Sequence, residues 1–200
     1  MTFILFAAGS YLLVHAYLAV FTRYMADDYC TANTLIQKGF WGAQIYIRNS
    51  YSGRYSFFLL DLLIQSLGMG TIFITSTFVM GLWFLSLARI IYVLLIFTEN
   101  KTPFIGSLLL SSCVLWASYE SIVDFPQIMY WRTGVLTYSL FNFLVLLESN
   151  FILHRVQKSA NIRAWELLAW GGFSFWVGGF SEVGNAVQIV LINSILVSSQ

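Results

Sequence analysis

The feature that most limits the fold of this chain is a series of long apolar runs joined by short polar links. A helix needs about 20 predominantly apolar residues to cross the hydrocarbon core of a bilayer. Six stretches approach that length, namely residues 3–22, 72–97, 103–119, 134–153, 164–181 and 186–200. Charged residues form only 10% of the chain, whereas soluble domains carry about 25%. The sequence therefore predicts an all-α fold, a polytopic transmembrane helical bundle.

Charge and composition also limit which domain organisation and which partners are expected. A net charge of +1 argues against nucleic acid, because a nucleic-acid binder carries a clear basic excess. No internal repeat or linker divides residues 1–200, so we expect them to form a single membrane domain. The first apolar run lacks the basic start of a signal peptide, and we expect it to be retained as the first helix. The last run stops short of a full span, so we expect these residues to be the N-terminal part of a longer protein that continues beyond Gln200.

The scarce charge is concentrated in one polar loop, residues 23–54, which holds four of the ten basic residues. Within this loop, residues 31–48 carry an apolar stripe at helical spacing that includes Ile36, Phe40 and Ile47. Such a stripe predicts an amphipathic helix that lies on the membrane surface. The loop is thus expected to form a structured outer layer next to the first span.

Residues 55–67 follow this loop and are apolar, but they are too few to cross a bilayer. Arg54, Asp61 and Gln65 fall at positions i, i+7 and i+11, which places them on one stripe of a helix. We therefore expect a second juxtamembrane helix along the outer surface. On this interpretation Asp61 is a helix-stripe partner of Arg54 or Gln65 rather than a catalytic residue.

The orientation follows from whether residues 55–67 cross the membrane. If they do not, the short basic links fall together on one side, which the positive-inside rule assigns to the cytoplasm. Those links carry Lys101, Arg155, Lys158 and Arg163. The polar loop, residues 119–132 and Glu182 then share the outer face. We adopt this non-crossing arrangement.

Candidate functional residues begin with two adjacent carboxylates, Asp27 and Asp28, just after the first span. Near hydrocarbon the two would repel each other, which favours uptake of a proton and suits a general base. They would also hold a divalent metal such as Mg²⁺ or Mn²⁺, if one takes part. The alternatives are a solvated loop start or an N-cap for the helix at 31–48. Arg54 fits the clamping of a phosphate with its planar fork of donors, or the anchoring of its helix to lipid headgroups.

Two further polar groups are expected on the same face. Tyr130, Trp131 and Arg132 precede the fourth apolar run; aromatic rings stack on sugars, although an aromatic belt at the interface explains Tyr and Trp equally well. Glu182 lies in a tight turn between the last two runs, where an ionisable residue either marks a functional site or faces water. Inside the predicted spans, the ionisable residues identified are His15, to which no role is assigned, and Arg89.

These motifs and their order resemble those of the GT-C superfamily, membrane glycosyltransferases that take sugars from polyprenyl-phosphate carriers. Its members have a first span, an outer loop with an acidic pair, two juxtamembrane helices and many further spans, and the resemblance covers essentially the whole chain. An uncharacterised bacterial branch is similar more narrowly at Ala26-Asp-Asp-Tyr29, Ser52-Gly-Arg54, Tyr130-Trp-Arg-Thr-Gly134 and Ser181-Glu182. That branch tends to read Trp-Ser-Gly-Arg where this chain has Tyr51-Ser-Gly-Arg54.

The resemblance implies a glycosyltransferase in a bacterial plasma membrane with its active face outward. It implies that Asp27 or Asp28 is the catalytic base, that Arg54 holds the donor phosphate, and that residues 130–132 and Glu182 line the same cavity. The expected partners are the lipid bilayer, a polyprenyl-phosphate-linked sugar and a glycan, lipid or protein acceptor. Two other classes stay open: a transporter or flippase fragment for a lipid-linked or anionic substrate, and a non-catalytic membrane subunit.

Overall fold

The computed structural model describes residues 2–68, 70–97, 102–158 and 163–198, and every regular element in these ranges is helical. The helices are α1 (Thr2–Ala19), α2 (Asp27–Ser50), α3 (Tyr55–Ser66), α4 (Thr71–Phe97), α5 (Pro103–Glu120), α6 (Phe125–Met129), α7 (Arg132–Gly134), α8 (Phe141–Lys158), α9 (Ala164–Gly178) and α10 (Glu182–Ser198). A π-helical turn, Val135–Leu140, joins α7 to α8. The predicted all-α fold is confirmed; Lys101 and residues 199–200 lie outside the described residues.

Among the residues that the structure describes, two helical stretches are both long and apolar enough to cross a bilayer, Thr71–Ile96 and Arg132–Ile152. They coincide with the predicted runs 72–97 and 134–153. Protein buries only 22% of the most apolar window of the first stretch, against 67% of the second. A core helix of a water-soluble protein buries most of its apolar surface, so the uncovered apolar side chains of α4 favour contact with lipid. α9 has 15 residues, fewer than the predicted run 164–181.

The long helix α4 packs against α1, α5 and α8. Trp83 and Phe141, at the start of α8, line one cavity, whereas Arg89, later in α4, lines another with His154, late in α8, so these two helices run in the same direction. The long helix between them in the chain, α5, packs against α4 and has to return the chain to the end where α8 begins. The largest buried apolar cluster, which includes Phe57, Leu136 and Phe180, joins α3 to the start of α8 and the end of α9.

The two predicted surface helices are present with one change. The helix predicted at 31–48 starts earlier, at Asp27, and breaks at Gly39, which adopts φ 66° and ψ 175°. A residue with a Cβ rarely adopts a positive φ of this kind, and glycine does so readily. α3 (Tyr55–Ser66) ends one residue before the predicted 55–67. Its 12 residues reach only about 18 Å, less than the ~30 Å hydrocarbon core, so α3 is too short to cross.

A tightly packed turn holds Arg132, the first residue of α7. Gly134 lies so close to α6 that a Cβ at this position would overlap the carbonyl oxygen of Gln127. Ser139, in the π-helical turn, donates a hydrogen bond to the Ile128 carbonyl at 2.9 Å. π-Helical turns are rare and often occur next to functional sites. The glycine of the 130–134 motif is therefore explained by close packing that fixes the position of Arg132.

Candidate functional site

A cavity of about 260 Å³ opens between α2, the turn after it and α3. We call it the α2–α3 cavity. Asp27, Arg54, Tyr46 and Tyr51 line it together with Thr133 of α7. Two residues singled out from the sequence, Asp27 and Arg54, thus share one cavity. A carboxylate, a guanidinium and two aromatic rings are groups that proteins use to bind hydroxyls, phosphates and sugar faces.

The structure gives the two adjacent carboxylates different surroundings. Asp27 and Asp28 are the first residues of α2 rather than part of a loop. Because 3.6 residues make one helical turn, neighbours point about 100° apart. Asp27 therefore faces the α2–α3 cavity, whereas Asp28 is fully buried and accepts a hydrogen bond from the Met25 backbone N–H at 3.1 Å. Negative charge is favourable at this helix N-terminus.

Asp28, Asp61 and Arg132 meet in a buried ion cluster that draws on α2, α3 and α7. Nε of Arg132 donates to Oδ1 of Asp61 at 2.9 Å, and Nη2 lies 3.4 Å from Oδ1 of Asp28. None of the three side chains has exposed surface. The expected partners of Asp61 were Arg54 or Gln65, and Arg132 was expected to face a substrate. The structure instead pairs Asp61 and Arg132 with each other.

Neutral groups surround this buried ion cluster. The Thr133 hydroxyl donates to Oδ1 of Asp28 at 2.9 Å, and the Gln65 side-chain amide donates to the Asp28 backbone carbonyl at 2.9 Å. The ring of Tyr24 lies 4.9 Å from the guanidinium carbon of Arg132, which is a favourable cation–π distance. Because Thr133 also lines the α2–α3 cavity, the buried ion cluster forms the wall behind that cavity.

The buried ion cluster combines two acidic side chains and one cation away from solvent. Moving an ion out of water costs several kcal/mol, which only close pairing and further hydrogen bonds offset. Within the described ranges, Oδ2 of Asp61 and Nη1 of Arg132 make no hydrogen bond of standard geometry. Unpaired buried atoms of this kind require an explanation, and a functional site is a common one.

Burial raises the pKa of the Asp61 carboxyl to about 6. The Arg132 guanidinium lowers this pKa, and the nearby Asp28 carboxylate raises it again. The ordinary value is 3.8, so Asp61 holds its proton more tightly in the folded chain than in the unfolded chain. The stability that this proton contributes is fully present below a pH of about 4, and it is lost as the pH rises through about 6.

We expect Asp61→Asn to remove this pH dependence. The amide does not ionise, while its oxygen still accepts the hydrogen bond from Arg132. From pH 4.5 to pH 7, the free energy of unfolding of the wild type should fall relative to the variant by about 2 kcal/mol, since each pKa unit corresponds to about 1.36 kcal/mol. Unfolding in detergent micelles at a series of pH values measures the difference.

Glu182→Gln is the matched control, because the Glu182 side chain is 73% exposed. This variant should keep the wild-type pH profile. If the wild type and Asp61→Asn showed parallel profiles, the titration could not be assigned to Asp61.

Arg54 is the cation that the α2–α3 cavity presents without a fixed partner. Its Nε atom lies 4.0 Å from Oε1 of Glu182, and the two side chains are 37% and 73% exposed. Such a surface pair contributes little. The same Nε atom is buried, yet no described group accepts a hydrogen bond from it. A guanidinium in this state is free to bind an anion such as a phosphate.

Tyr130 and Trp131 lie beside the buried ion cluster rather than in the cavity lining. The Tyr130 hydroxyl is 2.6 Å from Nδ1 of His15, and burial raises the pKa of Tyr130 to about 12, so this hydroxyl stays neutral. The indole N–H of Trp131 donates to the Met25 carbonyl at 3.1 Å. These contacts tie α1 and the start of α2 to the segment that carries Arg132, and they give His15 a partner.

The polar segments that the sequence assigns to the outer face lie at one end of the bundle. Arg132 contacts α2 and α3, and Glu182 at the start of α10 approaches Arg54 next to α3. Asp27 and Arg54 line the cavity, whereas Arg132 stands behind its wall and Glu182 lies beside Arg54 in solvent.

The donor set does not fit a metal site built from protein groups alone. In the part of the chain that the structure describes, no three His, Cys, Asp or Glu side chains converge. Asp28 is engaged by Arg132 and Thr133, which leaves Asp27 as the acidic residue of the cavity lining. Mg²⁺ held by a single carboxylate relies on water and substrate phosphates for its other ligands.

The sequence-based identification of His15 and Arg89 as the ionisable residues inside spans is incomplete. Glu148 is buried within the predicted span 134–153, nearer to its C-terminal end, and Ser174 and Gln188 donate hydrogen bonds to its carboxylate. The signal is present in the sequence, because an acidic residue within an apolar run is a functional candidate by default.

No protein-family model matches the chain, and no curated protein or solved structure is significantly similar to it. Its function therefore has to be inferred from the geometry, in which a carboxylate and a guanidinium share one cavity backed by a buried ion cluster.

Proposed function

We propose that this chain is a multi-pass membrane glycosyltransferase of the GT-C type, which moves a sugar from a polyprenyl-phosphate donor to an acceptor at the outer face of a bacterial plasma membrane. The observation that carries the proposal is the pairing of Asp27 with an uncommitted Arg54 in one cavity. The membrane setting is supported by two helices of spanning length and by the uncovered apolar surface of α4.

In the proposed reaction Asp27 is the general base. It takes the proton from the acceptor hydroxyl while the acceptor oxygen bonds to the anomeric carbon of the sugar. The bond from that carbon to the donor phosphate breaks, and polyprenyl phosphate leaves with the electron pair. Arg54 offsets the negative charge that builds on the leaving phosphate. Tyr46 and Tyr51 offer aromatic faces to the sugar ring.

The buried ion cluster holds these two groups in place without touching the substrate. Asp28 fixes the start of α2, and with it the direction in which Asp27 points. Asp61 fixes α3, the helix that Arg54 precedes. Arg132 connects both acids, so Asp28, Asp61 and Arg132 are positioning residues in this proposal.

The outward orientation rests on the course of the helices. α3 is too short to cross, so α2, α3 and the start of α4 stay on one side. α4 and α8 run in the same direction, which brings the basic links that contain Arg155 and Arg163 to the opposite side. The positive-inside rule assigns that opposite side to the cytoplasm, so the α2–α3 cavity opens outward.

We expect the full chain, reconstituted in lipid vesicles, to release polyprenyl phosphate from a polyprenyl-phosphate-linked sugar and to transfer that sugar. A panel of donors with different radiolabelled sugars, offered with glycan, lipid and peptide acceptors, identifies the substrates. Protein-free vesicles give the background. If the chain consumes no donor in the panel, and none slows alkylation of Cys30 in the cavity lining, the transferase proposal is wrong.

A second function, transport or flipping of a lipid-linked or anionic substrate, is favoured by one observation. Glu148 is buried in an apolar helix and takes hydrogen bonds from α9 and α10, and such intramembrane acids occur along transport paths. A flippase would move the labelled donor between leaflets without splitting it. The same vesicles distinguish the two functions, because only transfer releases polyprenyl phosphate.

A further inference from the structure

A second cavity, of about 370 Å³, lies at the opposite end of α4 and α8 from the α2–α3 cavity. We call it the α4–α8 cavity. At about 1.5 Å per residue, Arg132 and Glu148 are separated by about 24 Å along the helix axis. The cavity has an aromatic wall formed by Phe151, Trp170 and Phe173 and a polar set formed by Arg89, Glu148 and His154.

Glu148 supplies negative charge at the base of the α4–α8 cavity. Its side chain is buried, and one carboxylate oxygen accepts from the Ser174 hydroxyl while the other accepts from Gln188 Nε2 at 2.7 Å. Both donors are neutral, so they orient the carboxylate without cancelling its charge. Within the described ranges no ion pair involves Glu148. A ligand that places a cationic N–H group here would supply the missing charge.

Arg89 and His154 place positive charge on the same cavity. Arg89 is exposed, and among the described residues neither it nor His154 has an ion pair or a side-chain hydrogen bond. Arg89 lies inside Thr71–Ile96, one of the two stretches able to span a bilayer. An arginine at such a position needs a polar or anionic partner, because hydrocarbon offers none. A phosphate fits its planar fork of donors.

The two charge sets therefore complement a ligand that carries both a phosphate and an ammonium group. We propose that the α4–α8 cavity binds the headgroup of a phospholipid of the phosphatidylethanolamine type. The phosphate lies against Arg89 and His154, and the primary ammonium group donates to Glu148. The acyl chains extend along the exposed apolar surface of α4.

The placement of the cavity favours a membrane lipid over a soluble compound. Glu148 lies about 6 Å along the helix axis from Ile152, where the apolar stretch ends, and Arg89 lies about 10 Å from Ile96. Both lie nearer to the end of their stretch that carries the basic links than to its other end, so the lipid headgroups on that side are the nearest source of phosphate. The proposal rests on the membrane placement of the chain and is independent of the transfer reaction.

The test is native mass spectrometry of the full chain in detergent micelles doped with equal amounts of dioleoyl phosphatidylethanolamine and dioleoyl phosphatidylglycerol. We expect the protein to retain the ethanolamine lipid at least threefold over the glycerol lipid, since only the former carries an amine. Glu148→Gln should abolish this preference, because a neutral amide no longer attracts the ammonium group. Arg89→Gln should lower retention of both lipids about tenfold.

Arg48→Gln is the matched control for loss of one arginine, because Arg48 is an exposed residue of α2, away from the cavity. His154→Ala is a second cavity variant that removes only a partly exposed side chain, so it keeps the test valid if Glu148→Gln does not fold. It should lower retention of both lipids, whereas Arg48→Gln should change neither amount.

Three results would overturn the proposal. One is equal or greater retention of the glycerol lipid by the wild type. Another is an Arg89→Gln or His154→Ala loss no larger than that of Arg48→Gln. The third is displacement of the bound lipid by water-soluble O-phosphoethanolamine at the same concentration, which would identify a soluble ligand instead of a membrane lipid.

Discussion

Replacing Arg132 by methionine should lower the free energy of unfolding by about 3–5 kcal/mol. Arg132 is fully buried and holds Asp61 at 2.9 Å and Asp28 at 3.4 Å. Without it, two carboxylates stay in a region of low dielectric with no counter-charge, and breaking a buried ion pair from one side has this cost. Unfolding in detergent micelles, followed by helical circular dichroism, measures the loss.

Three variants show whether charge, rather than side-chain volume, causes the loss. Arg54→Met removes a partly exposed arginine and should cost less than about 1 kcal/mol. Arg132→Lys keeps the charge but loses the fork that serves both acids, so its effect should be intermediate. Adding Asp28→Asn and Asp61→Asn to Arg132→Met removes the uncompensated charge and should restore much of the stability. If Arg132→Met cost no more than Arg54→Met, the buried ion cluster would not stabilise the fold as described.

Replacing Asp27 by asparagine should lower sugar transfer about 10²- to 10⁴-fold, the contribution typical of a positioned general base. The asparagine has the same shape and cannot take the acceptor proton. Asp27 lines the cavity and does not belong to the buried ion cluster, so the free energy of unfolding should stay within about 0.5 kcal/mol of the wild type. Initial transfer rates in vesicles, normalised to folded protein, give the comparison.

The variant Asp28→Asn distinguishes a catalytic role of Asp28 from a positioning role. Asp28 is held by Arg132, Thr133 and the Met25 N–H, so this variant should lose folded protein, while the fraction that folds should keep most of its transfer rate. The opposite pattern, full transfer by Asp27→Asn and none by folded Asp28→Asn, would move the base to Asp28. Unchanged transfer in both variants would leave neither carboxylate with a catalytic role.

Helix positions were largely predictable because local signals set them. The bounds of α3 and α4 agree with the predicted runs to within one residue, since apolar composition marks them and glycines separate them. The start of α2 was not predicted. Its first turn carries Asp27 and Asp28, which lie outside the apolar stripe. Arg132 contacts Asp28, and Trp131 contacts Met25 just before the helix. Both residues are distant in the sequence, so a local pattern does not contain these contacts.

The candidate site was predictable as a group of segments but not as a set of partners. Helical periodicity correctly placed Asp61 and Gln65 on one face, because both contact the region of Asp28. The true partner of Asp61 is Arg132, 71 positions away. Arg132 was expected to line the substrate cavity because no local pattern shows a partner that would bury it. Burying one charge is costly, but two carboxylates that converge from other helices offset that cost, and their convergence depends on tertiary packing.

Helical phase is also what distinguishes the two adjacent aspartates. If Asp27 and Asp28 lay in a loop, nothing would distinguish one from the other. The resemblance to GT-C transferases does not distinguish them either. Once both lie in the first turn of α2, one faces the cavity and the other faces Arg132. Glu148 could have been found from the sequence, whereas its contacts with Ser174 and Gln188 depend on how α8, α9 and α10 pack.

The most direct test of an outward-facing substrate cavity uses Cys30, an exposed thiol in the α2–α3 cavity. In a Cys113→Ala background, a membrane-impermeant maleimide is applied to intact bacterial cells that express the chain. In a second experiment, the same maleimide is applied to vesicles that contain the chain, with and without a polyprenyl-phosphate-linked sugar. We predict that Cys30 reacts from outside, that the donor slows its reaction, and that a cysteine placed by Arg163→Cys reacts only after the cells are opened. Labelling of the 163 position from outside, with Cys30 protected until the cells are opened, would contradict this arrangement.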